Sequence, residues 1–129
     1  MGVAAGEQLE LRVTPDRYTT VRYAGASGDF NPIHVDEQFA LSVGLPGRIL
    51  HGLWSMAQVA RAAATVADGD PLSLVELSVQ FRGMGRPERE IVVRGEVQAL
   101  ADGLATVRLE ARQGEARLIR NAQARLRVP

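Results

Sequence analysis

The chain contains no cysteine and no lysine in its 129 residues. Without a thiol there is no cysteine nucleophile, no disulfide framework and no thiolate metal site. All 15 basic residues are therefore arginine. A Schiff-base mechanism is excluded, and any phosphate must be held by arginine or backbone amides. Only two histidines are present, so a histidine-rich zinc site is excluded as well, although a carboxylate-based one is not. Charge of one sign is also missing: 15 basic residues face 15 acidic ones, and the pI is near 6.7. That balance carries no electrostatic footprint for nucleic acid or an anionic membrane. Apolar runs are too short to span a bilayer, and no signal-like segment follows Met1. The expectation is a soluble cytoplasmic protein of one domain, long enough to bury a real core.

Against these absences stands one stretch, Ser27-Gly28-Asp29-Phe30-Asn31-Pro32-Ile33-His34. Gly28 permits unusual backbone angles, and Pro32 fixes its own φ and restricts Asn31. Asp29 and Asn31 can each bond backbone groups a residue or two along. The expected result is a rigid loop presenting one carboxylate and one imidazole from fixed points. The residue types alone fit two readings, a plain turn with His34 packed beside the next helix, or a deliberate acid–base pair.

The rest of the chain supplies context. Leu9, Leu11 and Val13 alternate with Gln8, Glu10 and Arg12, the pattern of a half-buried strand. Thr14-Pro15 suggests a helix start, with the helix running to about Ala24 and stopped by Gly25. Asp36 is placed to cap a short helix ended by Gly44. From Leu53 to Ala67 only Ser55, Gln58, Arg61 and Thr65 interrupt an apolar surface, so other elements are expected to wrap this helix.

After Asp68-Gly69-Asp70-Pro71 the period changes to two. Four strands are expected, with inward residues that include Val75, Leu77, Val79 and Phe81 on the first and Leu118, Ala122, Ala124 and Leu126 on the last. Asp102-Gly103 marks a tight hairpin, and Gln113-Gly114 a further turn. The fold class is α+β, a single hot-dog domain over residues 1–129 in which a curved antiparallel sheet wraps a central apolar helix. Such a single layer leaves an edge that a second copy could cover.

The segment from Tyr23 to Asp36, with its Ser27-Gly28-Asp29-Phe30-Asn31-Pro32-Ile33-His34 core, is followed by Ile49-Leu50-His51-Gly52. Together they resemble the hydratase-2 motif of MaoC-like proteins, which include (R)-specific enoyl-CoA hydratases and (3R)-hydroxyacyl-ACP dehydratases. The resemblance implies a hot-dog dimer acting on an acyl thioester, with a related subunit as an alternative partner. Asp29 and His34 would hold and activate a water that adds to the β-carbon of a trans-2-enoyl thioester. An imidazole beside a carboxylate suits this work, since the pair can accept a proton and return it.

Gly52 fits the stabilisation of the developing enolate on physical grounds. It begins the apolar helix, where N–H groups are unpaired and the dipole favours negative charge, and it lets a thioester approach closely. Ser27 and Asn31 are read as holding the loop, and His51 as a structural residue. Trp54, Met56 and Phe39 are candidates for an acyl pocket. No cofactor is expected beyond the CoA or carrier phosphopantetheine of the substrate itself, and no metal.

The resemblance breaks down at Arg82-Gly83-Met84-Gly85-Arg86-Pro87-Glu88-Arg89, where the family usually has an apolar-Pro-Val segment and a Pro-Gly-Asp turn. Arg82, Arg86 and Arg89 are therefore candidates to meet phosphates of the substrate arm. A thioesterase on the same shape would carry an acid on or near the central helix, and the stretch from Leu53 to Ala67 has none.

Overall fold

A computed structural model describes residues 2–129. Strand β1 (Gln8–Val13) is followed by helices α1 (Thr19–Ser27), α2 (Pro32–Val35), α3 (Glu37–Ser42) and α4 (Gly52–Ala64). Strands β2 (Leu74–Phe81), β3 (Ile91–Ala101), β4 (Leu104–Gln113) and β5 (Ala116–Arg127) complete the order. The five strands form one antiparallel sheet in the order β1-β3-β4-β5-β2, which leaves β1 and β2 as edges.

Helix α4 packs against all five strands, so the sheet curls round it as the apolar stretch requires. Its inner face is built from Val59, Ala62 and Ala63, all fully buried. Small alanines bring the helix close to Ile91, Val93, Val97, Val107 and Leu118 on the sheet. Burying one such valine contributes ~1.5–3 kcal/mol relative to leaving it in water. Among the described residues no helix is long and apolar enough to cross a membrane.

Several local expectations shift by a few residues. Helix α1 does not start at Pro15, which is buried and whose carbonyl accepts from the Glu88 N–H at 2.6 Å. The start moves to Thr19 because Asp16 Oδ1 accepts from the Tyr18 N–H (2.8 Å) and makes the turn itself. Gly25 lies within the helix, and the stop is Gly28, in the left-handed region at φ 80 with its N–H bonded to Ala24 O at 2.8 Å. Only glycine takes that angle at no steric cost. At its far end α4 stops at Ala64 and tightens into a 3₁₀ turn, Thr65–Ala67, before Asp68 at φ 56.

The strands bulge where strict alternation predicts none. The register shift between Leu74 and Glu76 makes Val75 an extra residue, exposed on the β2 edge, and Phe81 at the end of the strand is exposed as well. In β5 a shift between Ala111 and Arg112 lets both Leu118 and Ile119 lie inside, and a second, between Leu109 and Ala111, accompanies Asn121 at φ 51. A bulge of this kind bends the strand and increases its twist, which a sheet wrapping a single helix needs. At the hairpin between β3 and β4, Asp102 and Gly103 take φ 55 and 75, the two positive angles of a type I′ turn.

Candidate active site

The site is assembled from the ends of three helices. Gly28 ends α1, and the chain turns at once through Asp29. Ser27 Oγ donates to Tyr23 O (2.8 Å) and accepts from the Asp29 N–H (3.1 Å), which fixes the turn to the helix that precedes it. Asp29 Oδ1 accepts from the Asn31 N–H (3.2 Å), leaving Oδ2 free of the turn. Asn31 then caps α2 through its own side chain, accepting from the Ile33 N–H at 3.2 Å, with Pro32 in the first turn. His34 therefore sits on a one-turn helix and not in the open loop expected from sequence, and this rigid element buries it.

The geometry of the pair follows. His34 Nδ1 lies 2.8 Å from the carbonyl of Ile49. A carbonyl can only accept, so Nδ1 carries the proton and Nε2 of the neutral ring is left as a base. Nε2 faces Asp29 Oδ2 at 3.8 Å. That gap is too long for a direct hydrogen bond, but one water oxygen can lie about 2.8 Å from both atoms and donate to each. The carboxylate is half exposed, whereas the imidazole is buried behind it.

Beside the pair, a cavity of about 310 Å³ is lined by Tyr23, Ser27, Asp29, His51, Gly52, Leu53 and Phe81. Gly52 is the first residue of α4, so its N–H has no acceptor within the helix. A Cβ on Gly52 would stand 3.2 Å from the Phe81 ring, so the missing side chain keeps this wall open.

Asp29, His34 and His51 each bring one potential ligand atom within 4.8 Å of the others. The two rings, however, stack with centroids 3.8 Å apart and planes 20° from parallel. Ligands of a single ion aim their lone pairs at one point, which nearly parallel rings do not.

Residues 3–117 match the MaoC like domain family. The chain belongs to the MaoC-like dehydratase family. Its MaoC-like sequence is 38% identical over 94 residues to the fatty acid synthase beta subunit TOXC of Cochliobolus carbonum, covering 72% of this chain and 4% of that protein. The chain thus spans only a small fraction of the curated relatives it matches. In fold it superposes on the R-hydratase PhaJ1 of Pseudomonas aeruginosa with a TM-score of 0.88, at 22% identity, covering 98% of this chain and 83% of that one. The ChsH1-ChsH2 complex of Mycobacterium tuberculosis gives a TM-score of 0.86 at 24% identity, covering 98% and 99% of the two chains. These two likenesses establish the hot-dog architecture, which agrees with the order read from the sequence.

In this MaoC-like domain the other candidates are scattered. Trp54 is half-buried and lines a second cavity, of about 390 Å³, with Val13, Tyr23 and Ala26 and with the polar Asp16, Thr19 and Arg22. Tyr23 borders both cavities and is their common wall. Met56 packs partly buried against the core, and Phe39 is exposed on α3, so neither lines these two cavities. Arg86 is tied down: its Nε donates to Arg48 O (3.1 Å), and its backbone is clasped by the Gln113 side chain. Arg82 and Arg89 stay exposed.

Sequence reasoning missed the lining role of Leu53 and Phe81 and the engagement of His51 with the pair. Tyr23 and His51 both lie inside the stretches that carried the family resemblance, but nothing in a linear pattern shows that they touch. They do, with ring centroids 4.8 Å apart.

Proposed function

We propose that this chain is a hydro-lyase on acyl thioesters, interconverting a trans-2-enoyl-CoA, or its carrier-protein equivalent, and the (3R)-hydroxyacyl thioester. The observation that carries this reading is the 3.8 Å separation of Asp29 Oδ2 and His34 Nε2, with the tautomer of His34 fixed by the Ile49 carbonyl. One water held between them directs a hydrogen to each and a lone pair outward. In hydration its oxygen bonds to the β-carbon and its proton passes to the pair. The electrons of the double bond move to the thioester oxygen, which the Gly52 N–H stabilises. A proton from the pair then reaches the α-carbon, and the atoms of water are conserved. Dehydration is the same path reversed. Such a preorganised donor is typically worth ~3–4 kcal/mol of barrier.

Ser27 and Asn31 hold the loop, and Tyr23, Leu53 and Phe81 bound the thioester. Trp54 receives acyl carbons in the neighbouring cavity. The CoA or phosphopantetheine arm arrives with the substrate, so no resident cofactor or metal takes part. The β2 edge exposes Val75 and Phe81, and Leu72 in the turn before it and Leu53 on α4 are exposed too. A second copy covers this edge in a homodimer, with a related subunit as the alternative partner. The domain acts in the cytoplasm.

The test mixes the purified chain with crotonyl-CoA and longer trans-2-enoyl-CoAs and follows loss of the conjugated absorbance. An (R)-specific coupling enzyme then reports product chirality. Turnover to the (R)-alcohol that vanishes in Asp29→Asn supports the reading. Undiminished turnover in that variant would sink it. A likeness to part of a fatty acid synthase makes carrier-bound enoyl thioester the second substrate to offer. Size-exclusion chromatography of the chain alone separates a homodimer from a subunit awaiting a partner.

A further inference from the structure

His51 is 2% exposed and occupies the N-cap position of α4, yet its side chain makes no capping bond. Its Nε2 lies 3.0 Å from the backbone carbonyl of Asp29. Since that carbonyl only accepts, Nε2 bears the proton and Nδ1 is a bare lone pair. Nδ1 is buried and, among the described residues, has no hydrogen-bond partner. The ring lies flat on His34, and Tyr23 packs against it at 60°.

A residue that only filled space here would be served by phenylalanine, which orphans no polar atom. The histidine is distinguished by what one side chain reaches. It donates to the backbone of Asp29, covers a face of the His34 ring, and is joined through the chain to Gly52. These are the three groups to which the reaction above is assigned, and they come from separate elements. If the Asp29 turn drifts or the His34 ring rotates, the 3.8 Å gap changes and a water can no longer meet both atoms. Near-ångström misplacements of this kind cost about a hundredfold in rate.

We propose that His51 is a positioning residue, held as the Nε2–H tautomer, whose hydrogen bond and stacked face set the spacing of Asp29 and His34. The proposal rests on the hydro-lyase reading, and its test separates the two. His51→Phe keeps a flat ring but removes the bond to Asp29. In steady-state assays with crotonyl-CoA this variant is expected to lose about 10- to 100-fold in kcat, with KM within about twofold of the parent and an unchanged circular dichroism spectrum. A folded variant with kcat within about twofold of the parent overturns the proposal. So does a loss of kcat no larger than the loss of folded protein. Asp29→Asn is run beside it: if that variant also keeps full activity, the hydro-lyase reading has failed and not merely the role of His51.

A second measurement needs no turnover and decides the matter if His51→Phe does not fold. The chain has only two histidines, so a His34→Asn variant assigns every ring ¹⁵N signal. The expected spectrum of the parent shows one Nδ1–H ring, His34, and one Nε2–H ring, His51. Two rings of the same tautomer, or His51 protonated on Nδ1, would remove the bond on which the proposal stands.

Discussion

The segment from Tyr23 to Gly52 and the body formed by α4 and the sheet are held together by different forces. In the first, short elements are fastened by single side chains to backbone atoms. Ser27 holds Asp29, Asn31 starts α2, Asp36 starts α3 by accepting from the Phe39 N–H, and His34 is pinned to Ile49. Little of it is buried apart from Ala24, His34, Ala40, Gly47, Ile49, Leu50 and His51. In the second, the sheet ladder and fully buried residues such as Val59, Ile91, Val97 and Leu118 do the holding. Apolar burial is insensitive to small shifts in direction, whereas a hydrogen bond is not. The site is thus built where geometry is exacting, and stability is concentrated where it is not.

The largest separation of the two should come from Asp29→Asn. The amide still offers an oxygen to the Asn31 N–H, but it cannot take a proton. We expect a loss of turnover of about 10²–10⁴, with urea unfolding changed by less than about 0.5 kcal/mol because the residue is half exposed. Equal effects on both would erase the distinction between the regions.

Val59→Ala tests the opposite corner. It removes two carbons from a fully buried site on α4 and should cost roughly 2–3 kcal/mol in denaturant unfolding, transfer and cavity together. Specific activity of the folded fraction should hold. A fall in kcat larger than the folded fraction explains would show that the body tunes the site.

Gly52→Ala lies on the boundary. The new Cβ would press to 3.2 Å from the Phe81 ring, which is half exposed and free to yield. Alanine suits a helix better than glycine, so the melting temperature should hold or rise. The Cβ narrows the cavity wall where the proposed thioester would lie, and kcat/KM should fall about tenfold, or about 1.4 kcal/mol.

The smallest effect is expected at Asp16, whose carboxylate begins α1. The Arg22 guanidinium, followed by the Tyr18 N–H, holds its carboxyl below the usual carboxylate range. Because the folded value is the lower one, its stabilisation is complete above the unfolded value near 3.9 and is lost as pH falls through the folded value. Thermal melts of Asp16→Asn should sit slightly below the parent at pH 7 and merge with it in strong acid. A gap that persists there would mean the side chain acts through its shape and not its charge.

Most of the architecture could be read in advance, because it rests on periodicity. Alternation in β1, β3 and β4, the apolar run of α4 and the Asp102-Gly103 turn are local patterns with one low-energy outcome each. The bulges of β2, β3 and β5 could not be read, since they answer the curvature of the sheet and not the preferences of the residues in them. Thr14-Pro15 does not start α1 because Pro15 is buried and held by a long-range bond from Glu88, which overrides a good helix-start signal. Residue type and spacing single out Asp29 and His34 only as a turn or an acid–base pair, and their catalytic role, with that of Gly52, is what the family resemblance implies. Their relation to His51, Tyr23 and Phe81 could not be read, because it depends on three elements meeting.

What the sequence determined by itself is therefore the set of elements and the chemical groups available, since both follow from short-range sterics and side-chain chemistry. Tertiary structure alone decided distance and tautomer. The 3.8 Å gap between Asp29 and His34, and the carbonyls that assign a proton to each imidazole, exist only once the ends of α1, α2 and α4 are packed together.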